Sequence, residues 1–195
     1  LRNSSAASDV YKRQLYIMSN KILLDSKKIE IILSRLVYQL IENHKNFENT
    51  VLLGLQPRGV FLINKILEIF KRDHSKLKII SGILDYTFFR DDFRRSEKTL
   101  SASSSKIDFS IENKNVVLVD DVLFTGRSIK AAMSSIDTYG RPKSIELLVL
   151  IDRRFKREIP IQANYCGAKI DTFKGDRVKV VWGDKLKDNV IYIES

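Results

Sequence analysis

Val116-Val117-Leu118-Val119-Asp120-Asp121-Val122-Leu123-Phe124-Thr125-Gly126-Arg127-Ser128 decides the fold. Its first four residues are apolar on both faces, which suits a buried parallel strand in a sheet covered by helices on both sides. Two adjacent carboxylates follow where that strand is expected to emerge. A turn with hydroxyls and a glycine then opens a helix on which Ile129, Ala132, Met133 and Ile136 share one face.

Each part of the stretch has a physical use. The carboxyl ends of parallel strands form the ligand crevice of an open α/β sheet, and a helix N-terminus offers unpaired N–H groups to a phosphate. Thr125 and Ser128 add hydroxyl donors, and Gly126 allows a close backbone approach. Carboxylates beside a phosphate are reasonable if they accept hydrogen bonds from sugar hydroxyls and face a metal-bound pyrophosphate. The blander alternative is a capped helix after an ordinary turn. Neither a Walker lysine pattern nor a Gly-x-Gly-x-x-Gly run is present.

Outward from this stretch, strands and helices alternate. Residues 26–43 carry Ile29, Leu33, Leu36 and Leu40 at helical spacing, and residues 51–55 read as a strand ending in Gln56-Pro57-Arg58-Gly59. Phe61, Ile63, Ile66, Leu67 and Phe70 predict a second helix, and residues 77–89 a strand. Residues 90–108 turn polar, with serines at 101–105, and predict a mobile loop. Residues 145–151 are again a buried strand. Short apolar runs at 163–166, 178–182 and 190–193 predict either a small cap over the carboxyl edge of the sheet or an added antiparallel edge. The expected fold is therefore α/β, with a mostly parallel central sheet flanked by helices.

The bulk numbers agree with one globular domain: 195 residues, 44% hydrophobic and 30% charged. No stretch is apolar enough to cross a bilayer and no secretory apolar block is present, so a cytosolic protein is expected. The single cysteine, Cys166, cannot form an internal disulfide, and no zinc spacing occurs. Thirty-four Lys and Arg against 24 Asp and Glu give +10, a balance suited to polyanionic partners. Residues 1–17 show neither period, and Asp9-Val10-Tyr11-Lys12-Arg13-Gln14 resembles translated adapter DNA. They are expected to be a non-native or disordered leader to a single domain over residues 18–195.

The central stretch resembles the substrate signature of the type I phosphoribosyltransferases, and the resemblance narrows to the PyrR family of pyrimidine-operon regulators and uracil phosphoribosyltransferases over residues 21–194. Leu53-Gly54-Leu55-Gln56-Pro57-Arg58-Gly59-Val60 looks like the pyrophosphate loop of that family. Leu84-Asp85-Tyr86-Thr87-Phe88-Phe89-Arg90-Asp91-Asp92 looks like its strand entering the flexible catalytic hairpin. Gly140-Arg141-Pro142, Leu150-Ile151-Asp152-Arg153 and Arg157-Glu158-Ile159-Pro160-Ile161 complete the pattern.

The resemblance implies a pentosyltransferase that joins uracil to 5-phosphoribosyl-1-pyrophosphate (PRPP), giving UMP, with Mg²⁺ bound through the substrate rather than by protein ligands. Asp120, Asp121 and Arg90 would be catalytic. Asp120, Asp121, Val122, Leu123, Phe124, Thr125, Gly126, Arg127 and Ser128 would hold ribose and 5′-phosphate. Gln56, Pro57, Arg58 and Gly59 would bind pyrophosphate, with the planar Arg58 fork suited to phosphate oxygens. Gln56-Pro57 admits a cis peptide. Arg153 would meet the base.

A homo-oligomer, such as a dimer, and leader-RNA binding in response to UMP are implied too, with Ser34, Arg35 and Arg157 as RNA contacts. Here the chain departs from the family: Ser34 and Tyr38 stand where threonine and histidine are expected, and Gln162 stands in place of arginine. One extra residue lies between Arg153 and Arg157. These departures predict weakened or absent RNA regulation with the enzyme retained. Two alternatives stay open: a non-enzymatic nucleotide sensor that binds RNA, and a transferase for another base such as hypoxanthine or orotate.

Overall fold

The computed structural model describes residues 21–92, 103–172, 175–183 and 188–194. The expectation for residues 1–17 and the middle of the loop over residues 90–108 lie outside these. The chain divides into two compact units, one over Ile32–Asp171 and one from the segments before and after it.

The larger unit is built on five parallel strands: β2 (Thr50–Leu55), β3 (Ile80–Leu84), β4 (Asn115–Leu123), β5 (Ser144–Arg153) and β6 (Tyr165–Ile170), in the order β3-β2-β4-β5-β6. Every residue of β2 is buried, as a strand covered on both faces demands. Helix α1 (Ser26–His44) enters this unit from the smaller one and buries Leu33, Leu36, Val37 and Leu40 along one stripe. Helix α2 (Gly59–Asp73) follows β2, and α3 (Arg127–Ile136) follows β4. The chain crosses from β2 outward to β3 and from β4 outward to β5. Right-handed crossovers therefore put α2 and α3 on opposite faces and leave a crevice between the ends of β2 and β4.

Pairing deepens that crevice. The β2–β4 ladder ends at Gly54–Val119, whereas β4 runs on to Leu123 against β5 alone. The carboxylates expected after the strand thus lie inside it, on a projecting arm. Opposite, at the amino end of the sheet, the buried His44 ring ties α1 to Thr50 of β2 at 3.1 Å, Glu146 of β5 at 3.2 Å and Tyr165 of β6 at 3.0 Å.

Three sequence expectations are corrected. The strand over residues 77–89 is only Ile80–Leu84, because Asp85 Oδ1 accepts the Thr87 N–H at 2.7 Å and turns the chain into a short 3-10 helix, Thr87–Phe89. The polar stretch after residue 102 is not all loop: Lys106 and Ile83 exchange backbone hydrogen bonds of 2.8 and 2.9 Å. The segment around Cys166 is neither cap nor antiparallel edge but the parallel strand β6, interrupted in hydropathy by Gly167 and Lys169. In the smaller unit β1 (Lys21–Leu24), β7 (Arg177–Val181) and β8 (Val190–Glu194) form an antiparallel sheet of order β1-β8-β7. Among the described residues no helix is long and apolar enough to cross a membrane.

Gly59 is where the fold is least tolerant. A Cβ there would stand 2.1 Å from the Val119 carbonyl oxygen, so only glycine lets the start of α2 lie against β4. Gly59→Ala is expected to destabilise the protein by about 3 kcal/mol, in the upper range for overpacking, read as a lowered denaturant midpoint. A midpoint within error of the parent would show that the two elements are not in this contact.

Candidate active site

At the end of β4, Asp120 and Asp121 are 9% and 3% exposed. Adjacent strand residues face opposite ways, and the two side chains find different surroundings. Asp120 lines a cavity of about 240 Å³ with Arg90 and residues 122–129. Its Oδ1 accepts the Asp121 backbone N–H at 2.9 Å. Asp121 turns toward the loop after β2, where Arg58 Nη1 stands 4.0 Å from its Oδ2. That distance allows attraction without a hydrogen bond, and Asp121 Oδ2 is buried with no hydrogen-bond partner. Burial foremost, then the Asp121 charge, raises the Asp120 carboxyl above its ordinary range. Burial raises Asp121 as well, with Arg58 opposing.

Two loops bracket this pair. After β2, Gln56-Pro57 is a cis peptide and leads into Arg58, whose side chain is 59% exposed. Gln56 is tied down by its N–H to the Leu84 carbonyl at 3.0 Å and by its side-chain amide to the Ser104 carbonyl at 3.1 Å. After β4, Phe124 and Thr125 lead to Gly126, whose φ of 89° starts α3 in the left-handed region. A Cβ on Gly126 would also press on Ile159 at 3.2 Å. The Thr125 carbonyl accepts the N–H groups of Glu158 and Ile159, each at 3.0 Å, so residues 158–159 are pinned beneath this turn. Arg127 reaches outward to Glu158 at 2.5 Å and to Asp91.

The described end of the 90–108 loop also meets the cavity. Arg90 lines it and is held by both oxygens of Asp92 at 2.8 and 2.6 Å. Tyr86 is 9% exposed, and burial foremost, then the Asp120 charge, holds its phenol above the ordinary value, with Ser128 and Arg90 opposing. The sequence reading left Tyr86 without a role. A hydroxyl-bearing aromatic just past the carboxyl end of a parallel strand was the available signal.

The structure therefore gathers Arg90, Asp120, Val122, Leu123, Phe124, Thr125, Gly126, Arg127 and Ser128 around one cavity, with Asp121 and residues 56–59 beside it. Arg153, buried at the end of β5, lies over the Phe124 ring at 4.0 Å to the centroid. Arg157 is ion-paired with Asp152 and donates to the Phe124 carbonyl, which places it at this site. Arg35 donates to the carbonyls of Cys166 and Gly167, and Ser34 is half-buried beside it on α1. The three residues suggested for RNA thus share no common surroundings. Among the described residues no cluster of three or more His, Cys, Asp or Glu could hold a metal ion.

Comparison with known proteins agrees with this geometry. Residues 19–183 match the phosphoribosyl transferase domain. The chain is 41% identical over 175 residues to the bifunctional protein PyrR of Caldicellulosiruptor bescii, covering 90% of this chain and 95% of that one. It is 36% identical to the bifunctional protein PyrR of Staphylococcus haemolyticus, covering 91% of this chain and all of the other. In fold it resembles a hypoxanthine phosphoribosyltransferase of Trypanosoma cruzi, with a TM-score of 0.64 at 16% identity over 88% of this chain and 95% of that one. A hypoxanthine phosphoribosyltransferase of Staphylococcus aureus gives 0.61 at 23%, over 78% and 80%.

The raised Asp120 carboxyl has a consequence for stability. The folded protein holds a proton that the unfolded chain has released, so stability falls as pH climbs from the usual carboxylate range through the raised value. Asp120→Asn removes the ionisation while keeping the shape. Its stability relative to the parent is expected to grow between pH 5 and pH 8, by at most about 4 kcal/mol at roughly 1.4 kcal/mol per pH unit below the raised value. Denaturant melts at the two pH values read this directly, and a difference independent of pH would contradict the shift.

Proposed function

We propose, for a chain that belongs to the phosphoribosyltransferase family and within it to the PyrR proteins, that its site transfers ribose 5-phosphate from PRPP to uracil. The observation that carries this reading is the pairing of two loops, one after β2 and one after β4, around the carboxylates of a single projecting strand. A substrate with a phosphate at one end and a pyrophosphate at the other, joined by a sugar with free hydroxyls, matches that order of donors and acceptors.

The turn over residues 122–128, with its hydroxyls and the amino end of α3, receives the 5′-phosphate. Asp120 and Asp121 accept hydrogen bonds from the ribose hydroxyls, and once the proton that burial holds on the pair is released their charge favours the positive character that develops on the sugar as the bond from C1 to pyrophosphate breaks. Uracil N1 attacks that carbon and gives up its proton, leaving UMP and pyrophosphate. Arg58 and the backbone of residues 56–59 steady the departing pyrophosphate, and Arg90 stands over the cavity holding the ribose-phosphate end. Arg153 supplies donors for a uracil carbonyl.

The buried Asp121 Oδ2, which has no hydrogen-bond partner, fits a Mg²⁺ ion held mainly by the substrate's own oxygens and faced by this pair. Bound there, the ion would neutralise leaving-group charge. The cytosolic, dimeric form expected from the sequence belongs to the same reading.

The side chains at the suggested RNA positions favour a weakened regulatory role. Arg157 is matched with Asp152 and Arg35 with two carbonyls of β6, so both guanidinium groups are engaged within the protein. Filter binding of a pyrimidine-operon leader hairpin is expected to show no tight, salt-sensitive retention that depends on UMP. Retention with those properties would restore the regulator.

For catalysis, release of pyrophosphate from PRPP and Mg²⁺ is expected with uracil and not with hypoxanthine or orotate. Asp121→Asn should lower kcat/KM by on the order of 100-fold, as loss of a charge-stabilising group does. Release with another base would reassign the acceptor. No release with any base, together with retained UMP binding, would identify a nucleotide sensor without turnover.

A further inference from the structure

We propose that Asp85 is a positioning residue for Arg90: its carboxylate shapes the turn that brings Arg90 to the cavity and ties that turn to the loop carrying Arg58. The inference rests on reading the cavity as the ribose-phosphate subsite, with Arg90 as one of its groups.

Asp85 stands immediately after β3, and each of its polar atoms is engaged. Oδ1 accepts the Thr87 N–H at 2.7 Å and Oδ2 accepts the Ser103 N–H at 2.8 Å. The Asp85 N–H donates to Ser105 Oγ at 2.9 Å, and its carbonyl accepts from Ser135 Oγ of α3 at 3.1 Å. The partners come from three separate stretches of chain. Two N–H groups aimed at two oxygens need an acceptor at both, which a carboxylate supplies and an amide does not.

These bonds reach the site through Arg90. The Thr87 bond opens the 3-10 turn, in which the Phe89 N–H meets the Tyr86 carbonyl at 3.0 Å and the Arg90 N–H meets the Thr87 carbonyl at 3.3 Å. That turn delivers Arg90, whose side chain lines the cavity and is braced by both oxygens of Asp92. The Ser103 bond fixes the other side. The adjacent Ser104 carbonyl accepts the Gln56 side-chain amide at 3.1 Å, and the Gln56 backbone N–H goes to the Leu84 carbonyl at 3.0 Å. Arg58 lies two residues further on. One carboxylate thus fixes Arg90 relative to the loop after β2, and the Ser135 bond fixes both relative to α3. Without it, Arg90 would have to be ordered by the substrate, at a cost in affinity.

Asp85→Asn keeps the size of the side chain but accepts at one oxygen only. Whichever N–H it retains, the turn and the returning segment come apart. Kinetics of pyrophosphate release with uracil, beside calorimetric titration with PRPP and Mg²⁺, read the consequence. We expect the KM for PRPP to rise on the order of tenfold, the scale of one hydrogen bond to a charged group, with kcat and the KM for uracil little altered, the pattern of lost uniform binding. In an Arg90→Ala background Asp85→Asn should add nothing, because the two act as one unit. Ser105→Ala cuts the same junction at the backbone and should raise the same KM about threefold, the scale of a neutral hydrogen bond, so the test stands even where Asp85→Asn fails to fold. An unchanged KM for PRPP in the folded variants, a loss confined to kcat or to thermal stability, or full additivity with Arg90→Ala would each overturn the role of Asp85 and leave the subsite reading standing. A parent protein that neither binds nor turns over PRPP would overturn the subsite reading and this inference with it.

Discussion

Two adjacent carboxylates under cover are the constraint around which the larger unit is organised. Removing a carboxylate from water costs several kcal/mol unless a charge or a set of donors replaces the water. Here the replacement is incomplete. Asp120 has the backbone N–H of its neighbour, and Asp121 has an arginine held just beyond hydrogen-bond range. Such a pair is poorly stabilised without a ligand, and the proposed substrate, with several hydroxyls and its own cation, would supply what is missing. The arm of β4 that extends beyond β2 makes this possible, because it brings the pair to the open end of the sheet while β5 still holds its backbone.

Glycines let the two loops reach that arm. Gly59 brings the loop after β2 within contact of Val119 and the Asp120 backbone, and Gly126 lets the loop after β4 turn sharply over Ile159. Neither loop is held by its own element alone. Gln56 is tied to the ends of β3 and of the returning 103–106 segment, and Thr125 to residues 158–159. Four stretches far apart in sequence are thereby fixed against one strand end, so the spacing between the two loops is a property of the sheet rather than of any single loop.

Much of this was legible in the chain itself. A run of apolar residues followed by paired aspartates and a hydroxyl-glycine turn has few physical uses; the start of β4, the glycine turn and α3 stand where that logic put them, while β4 itself runs on through both aspartates to Leu123. Helical spacing placed α1 and α2 for the same reason. What failed was local. Residues 77–89 carry enough apolar side chains for one long strand, but a single hydrogen bond from the Thr87 N–H to Asp85 ends it. β6 was obscured because Gly167, needed where a Cβ would meet the Leu150 carbonyl at 2.4 Å, breaks its apolar run. β1 is four residues long and pairs with the far end of the chain, a contact no local pattern announces. Tyr86 was passed over because Asp120, whose charge it feels, comes from a different strand.

The net positive charge bears on the site less directly than the total suggests. Arg90, Arg127 and Arg157 are each matched with a carboxylate in or beside the cavity, and Arg154 is matched with Asp171. Arg58 is different: largely exposed and only loosely attracted to Asp121, it could turn to the proposed pyrophosphate without first breaking a close ion pair. In the proposed function, selection of an anion then depends on preset N–H groups, hydroxyls and this one loosely held guanidinium. The paired arginines act mainly as struts, fixing Asp91, Asp92, Asp152 and Glu158 around the opening. On that view the surplus lysines elsewhere raise the rate of encounter with a polyanion, while the geometry at the end of β4 determines which polyanion stays.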